Sequence, residues 1–245
     1  MIIDAHAHVA YWEELGIAGS AENCIRLMDR YGIETSCISC SRALRGDFVR
    51  GNRETLAAIE QYPGRFLGYA VANPLYGDEA VAEIHTCIKD LGFIGCKFHV
   101  SHTLIPYADV RYDPLFDAVR GLDVPVLCHT FDGCGGLAAC AARHPDVTLI
   151  AGHMGGYRWD EGCIAGARYP NIYLELCCSC SERGIVESAV AAVGADRVLF
   201  GTDLGMLDPA TTLLKVYDAD ISETDRRKIL GGNMARLLKL EGASQ

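Results

Sequence analysis

The chain has 245 residues, half of them hydrophobic, and a formal net charge of −10 with no offsetting cluster of Lys or Arg. Such a surface repels phosphate backbones and disfavours nucleic-acid binding. No run of about 18 apolar residues marks a membrane span, and Met1-Ile2-Ile3-Asp4 does not read as the start of a signal peptide. The sequence reads as a soluble, cytoplasmic protein with a small-molecule partner, compatible with a homo-oligomer.

Short apolar runs alternate with amphipathic ones along the whole chain. Strands are predicted at residues 2–6, 35–39, 66–72, 94–98, 125–129, 148–152, 172–176 and 198–201. Helices are predicted at 21–31, 53–61, 78–91, 114–122, 137–144, 159–168 and 182–193, with a long final segment from Ser222. The strands are continuously apolar, as in a parallel sheet covered on both faces. Eight βα units over this length predict an α/β protein, a (β/α)8 TIM barrel forming one domain over residues 1–245.

Local signals agree with this division. Ser20 and Ser222 stand where N-caps belong, and Ser222-Glu-Thr-Asp225 reads as a capping box. Gly32, Gly92 and Gly121 follow helical stretches, and Asn233 is expected to cap the last helix. Residues 9–19 and 100–112 are expected to be irregular loops over the C-terminal ends of the strands. His85 and His144 read as ordinary surface residues.

Twelve cysteines do not imply a disulfide scaffold. Cys37, Cys128, Cys177 and Cys178 sit in apolar runs, where a thiol acts as a small hydrophobe. Cys37 and Cys40 have metal-site spacing, but an offset of three on a strand sends them to opposite faces.

The chemistry-bearing residues cluster at strand ends. Asp4, His6 and His8 alternate along the first strand and are expected to point the same way. His129, His153 and Asp203 each follow an apolar run, at the ends of the fifth, sixth and eighth predicted strands. Barrel active sites are assembled at these ends. Neutral imidazole suits Zn, Ni, Fe and Mn.

With Asp4-Ala-His6-Ala-His8, Asn73-Pro74, Lys97-Phe-His99, His129, Gly152-His153-Met-Gly-Gly156, Gly201-Thr-Asp203 and Asn233-Met-Ala-Arg236, the sequence resembles the amidohydrolase-related branch of the amidohydrolase superfamily, which includes metal-dependent hydrolases and aromatic-acid decarboxylases. The resemblance implies that His6, His8, His129 and Asp203 ligate a metal. It makes His153 a further ligand or a group polarising the substrate, and Asp203 the general acid/base. The expected cofactor is one dominant divalent ion per chain, zinc foremost, with Mn, Ni or Co also compatible. The expected reaction is hydrolysis of a C–N or C–O bond in an amide, lactone or ester. Decarboxylation or hydration of a small carboxylic acid is the alternative, and a non-catalytic metal-binding barrel the third reading. Lys97, His99 and Arg158 are candidates for substrate contact, with Lys97 expected to remain an unmodified amine. Glu175 is a candidate support for a ligating imidazole.

Overall fold

The computed structural model describes residues 1–12, 16–177, 180 and 182–240; Cys178 lies outside them. Nine strands form one sheet: β1 (Ile3–Trp12), β2 (Ile17–Gly19), β3 (Thr35–Cys40), β4 (Phe66–Val71), β5 (Gly95–Phe98), β6 (Val126–His129), β7 (Leu149–Gly152), β8 (Ile172–Glu175) and β9 (Val198–Leu199). Their order is β2-β1-β3-β4-β5-β6-β7-β8-β9. All eight expected strands are present, with helical segments in every crossover from β3 onward. The sheet curls until the chain after β9 meets β1: Ala5 N donates to Phe200 O, Asp203 N to His6 O and His8 N to Leu204 O, at 2.9, 2.7 and 2.7 Å.

Two apolar clusters sandwich this sheet. The larger fills the space between strands and helices. The smaller lies on the concave side and contains Ile3, Ala5, Cys37, Tyr69, Leu127 and Ile150, with Met234 and Ala235 of the last helix packed into it. Cys37 belongs to the inner cluster and Cys40 to the outer, as the strand period requires. The eleven described cysteines are all free thiols.

The structure departs from expectation at several points. Residues 9–12 are not loop: β1 runs on to Trp12 and turns back as an antiparallel hairpin with β2. Val9, Tyr11 and Trp12, with Ile17 opposite, are residue types that favour a strand over a loop. Residues 100–112 hold a short helix, Val100–Thr103, and a 3-10 turn, Val110–Tyr112. The helix Ala210–Asp218 was not anticipated. Asp123, not Gly121, takes the left-handed cap position. Asn233 does not cap its helix; its buried amide donates to Ala195 O and Val198 O and ties the last helix to β9. His144 is buried, with Nε2 2.9 Å from Asp113 and Nδ1 3.0 Å from Arg120. The Ser20 and Ser222 caps form as expected.

The departure that matters most for function is a bulge in β1. Asp4 pairs with Ser36, yet Ala7 pairs with Ile38, so three steps on β1 face two on β3. Asp4 therefore shares the outer face with Ser36 and does not point with His6 and His8. Its carboxylate accepts from His6 N (3.0 Å), Thr202 N (3.0 Å), Thr202 Oγ1 (2.6 Å) and Ser36 Oγ (3.3 Å). It thus pins the bulge to the segment that follows β9.

Replacing Asp4 with Ala strands these donors where Asp4 is fully buried. An unsatisfied buried group costs about 1–3 kcal/mol, so Asp4→Ala is expected to lose on the order of 3–5 kcal/mol. Urea denaturation measures this; a loss below about 1 kcal/mol would refute the pinning role.

Candidate metal centre and active site

His6 and His8 reach the concave face from β1, two residues apart, on the far side of the bulge from Asp4. Glu175, the last residue of β8, is fully buried. Its Oε2 accepts from His6 Nδ1 at 2.8 Å and His153 N at 3.1 Å, and its Oε1 from Cys177 N at 2.5 Å. A proton held on His6 Nδ1 leaves the Nε2 lone pair for a ligand. Ser39 at the end of β3 does the same for His8, with Oγ 2.9 Å from Nδ1. Both Nε2 atoms face Asp203, whose Oδ1 lies 3.1 Å from His8 Nε2 and 3.7 Å from His6 Nε2.

These three atoms form a group that can hold a metal ion. The chemistry fits. Asp203 Oδ1 is sealed from solvent without an aligned hydrogen-bond donor, and two neutral imidazoles with one carboxylate are a common set for a divalent ion. Burial pushes Asp203 up, but the His8 ring beside it, with His153 and Lys97, outweighs this and holds its pKa below the ordinary carboxylate range. Burial likewise drives the His6 pKa well below that of free imidazole, with Lys97 adding to the effect. Both groups are therefore in ligand form near neutrality.

Asp203 and His153 sit at φ values of 58° and 68°, left-handed conformations that non-glycine residues avoid. Such a residue stores about 1–3 kcal/mol and persists where surrounding bonds over-determine it. Asp203 N on His6 O and His153 N on Glu175 supply those bonds. The left-handed run continues through Met154, Gly155 and Gly156. A Cβ on Gly156 would strike Phe131 O, so the glycine lets this turn close over β6.

The remaining expected residues divide. His129, at the end of β6, is outside the convergent three; its Nδ1 lies 3.1 Å from His153 Nε2. Burial lowers His129 to about 2 and His153 to about 4. His99 stacks on His129 with centroids 3.8 Å apart. Lys97 is fully buried, its Nζ 2.7 Å from His6 Nε2, and burial lowers its pKa. The charge-shedding environment that the sequence did not reveal is thus present. Burial also raises Glu175 to about 8. Arg158 is not brought to the site: it is exposed and paired with Glu161. Three contributors escaped the sequence reading. These are Ser39, the bulge-pinning role of Asp4, and Cys177, whose Sγ lies 3.2 Å from Nδ1 of both His6 and His153. Position at a strand end was the available signal for Ser39, and the two-residue offset from Glu175 was the signal for Cys177.

A cavity of about 370 Å³ opens beside His129, walled by Leu104, Ile105, Tyr107, Phe131 and Leu137. That volume suits a small ligand; among the described residues Asp132 lines it and no Lys or Arg does.

Glu175→Ala removes the acceptor that fixes the His6 tautomer. Such outer partners are typically worth about 10–100-fold in metal affinity. Competition with a chromophoric chelator measures it, and unchanged affinity would mean that Glu175 does not orient His6.

Comparison with known proteins places this geometry. Gamma-resorcylate decarboxylase from Polaromonas sp. (strain JS666 / ATCC BAA-500) is 29% identical over 88% of this chain and 86% of its own length. The enzyme of the same name from Rhizobium sp. (strain MTP-10005) is 27% identical over 95% and 92%. The crystal structure of dihydroxybenzoic acid decarboxylase from Polaromonas sp. JS666, with bound manganese and the inhibitor 2-nitroresorcinol, superposes with a TM-score of 0.77 at 23% identity, covering 98% of this chain and 97% of that one. Because these relatives break a C–C bond, they overturn the expectation of a hydrolase acting on an amide, lactone or ester. The family model for amidohydrolases matches residues 3–240, and the chain belongs to the amidohydrolase family.

Proposed function

We propose that the chain is a metal-dependent, nonoxidative decarboxylase of a small hydroxylated aromatic acid. It works in the mouth of a closed (β/α)8 barrel formed as one domain by residues 1–245. The alignment of 88–95% of the chain with gamma-resorcylate decarboxylases carries this reading. Hydrogen bonds between β1 and the segment after β9 support barrel closure. Among the described residues no helix is long and apolar enough to cross a membrane.

His6, His8 and Asp203 hold the ion, with His129 beside them. Manganese is preferred over zinc on the strength of the manganese-bound relative and of a set made only of N and O donors. Bound there, the ion supplies Lewis acidity toward the oxygens of an anionic substrate.

The remaining steps fall to side chains. The aromatic ring enters the apolar cavity, where Phe131 and Tyr107 offer faces and edges for stacking. Lys97 faces the anionic end of the substrate, and His153 polarises it. Decarboxylation breaks the bond between ring and carboxylate carbon. The electron pair stays on the ring carbon, CO2 leaves, and that carbon takes one proton. Asp203 is ionised at rest, accepts the proton released by the substrate hydroxyl on binding, and returns it to the ring carbon. Arg158 has no part in this scheme.

The test is CO2 release by manganese-loaded protein from a panel of mono- and dihydroxybenzoates, with the phenol product identified. CO2 from at least one member is expected. No CO2 from any of them, or water addition to an unsaturated acid instead, ends the proposal. His6→Ala with His8→Ala should abolish manganese uptake by elemental analysis. Asp203→Asn, reloaded with metal, should lose about 10²–10⁴-fold in kcat, the usual worth of positioned proton transfer. A rate within a few-fold of wild type would remove Asp203 from that role.

A further inference from the structure

The cavity beside His129 carries one charged side chain that the decarboxylase scheme leaves without a task. Asp132 lines the cavity and is exposed, so it stands at the outer end, away from the ligand set. Among the described residues no hydrogen bond or ion pair engages its carboxylate. Arg158, the cation beside this turn, is paired with Glu161 instead. We propose that Asp132 selects the substrate by the group opposite its carboxylate. It favours an aromatic acid with a hydrogen-bond donor such as hydroxyl at that position and rejects one with a second carboxylate. The inference rests on the decarboxylase reading and narrows its substrate class.

The charge is held in place by its surroundings. Asp132 is the third residue of the turn 130–133, closed by Gly133 N donating to Thr130 O at 3.1 Å. Thr130 is buried; its Oγ1 donates to Gly152 O at 2.7 Å and accepts from Gly155 N at 3.1 Å. Phe131, next to Asp132, packs edge-on against Tyr157 and His153, with ring centroids 5.1 and 5.5 Å apart. Beyond the turn, Cys134 N donates to Glu161 Oε2 at 3.2 Å. A group fixed by packing and hydrogen bonds discriminates better than one free to swing away.

The two ends of the cavity define the pose. Lys97, with Nζ 2.7 Å from His6 Nε2, marks the end that receives the reacting carboxylate, and a hydroxyl ortho to it reaches the same end. The ring lies beside Tyr107 and Phe131, so its para position faces the mouth. A hydroxyl there donates to the Asp132 carboxylate, and a bond to a charged acceptor is stronger than a neutral one. A second carboxylate there meets like charge, with no Lys or Arg in the wall to offset it. A methoxy group offers no donor. The favoured substrate is therefore a benzoate with hydroxyl groups both ortho and para to its carboxylate.

Three salicylates that differ only in the group para to the carboxylate test this on the manganese-loaded protein: the para-hydroxy, para-methoxy and para-carboxy acids. Calorimetry reads their affinities, and initial rates give kcat/KM for any that is turned over. Wild type should favour the para-hydroxy acid. In Asp132→Asn and Asp132→Ala, its preference over the para-carboxy acid should fall by about fivefold or more at low ionic strength. Its preference over the para-methoxy acid should vanish in Asp132→Ala. Added salt should erode the first preference in wild type and spare the second, because only the first is a repulsion between exposed charges. Unchanged ratios in both variants overturn the inference, as does equal binding of the three acids by wild type or binding of none. CO2 release from other hydroxybenzoates beside such a result leaves the decarboxylase reading standing and removes Asp132 alone.

Discussion

A carboxylate with no access to water must find hydrogen-bond donors inside the protein, and Glu175 finds three: the His6 ring, the His153 backbone and the Cys177 backbone. Each bond fixes something that the site needs. The first sets which nitrogen of His6 faces the cavity. The second holds the turn after β7 in a conformation that His153 would not adopt alone. The third sets the course of the chain after β8 and brings the Cys177 thiol against two imidazoles. One buried carboxyl group therefore couples β1, β7 and β8 at the end where the candidate ligands converge.

Asp4 plays the complementary part on the outer face. By accepting from His6 N and from Thr202, it joins the β1 bulge to the turn that carries Asp203. The left-handed backbone at Asp203 is then held from two directions, by Asp4 through Thr202 and by His6 O on Asp203 N. Strain at a ligand-bearing residue of this kind is offset by bonds outside the ligand set. The outward-facing acid of the Asp-x-His-x-His motif thus acts on geometry, while the inward-facing histidines converge with Asp203.

The parts of this arrangement that were legible in the sequence are those that repeat. Eight apolar runs, several of them leading into His or Asp, describe a parallel sheet and its active end, because burial on both faces leaves no polar alternation. His6, His8 and Asp203 were legible as a group for the same reason. What was illegible depends on local exceptions to period. Asp4, His6 and His8 alternate perfectly on paper, and only an inserted residue sends the first of them outward. His144 looked exposed at a helix end, yet Asp113 and Arg120 are spaced to receive both of its nitrogens. Asn233 read as a cap because capping is local, whereas its true partners lie 35 and 38 residues away. Lys97 could not be recognised as a buried amine because burial at the end of β5 depends on seven other strands.

The proposed reaction begins with a held anion, and the charges of the site are compatible with it. Burial drives the pKa values of His6, His99, His129 and His153 down, so the rings add ligands and dipoles without adding positive charge. Lys97 is the cation nearest the convergent ligands, and the cavity beside His129 has none in its wall. In the proposed reaction a carboxylate lying between that cavity and the convergent ligands would meet Lys97, with its ring toward the cavity. The 285 positions aligned with the Polaromonas relative exceed the 245 residues of this chain, so that relative carries insertions that this chain lacks. Short local elements wall the cavity instead: Leu104, which follows Val100–Thr103, and Phe131 in the turn after His129.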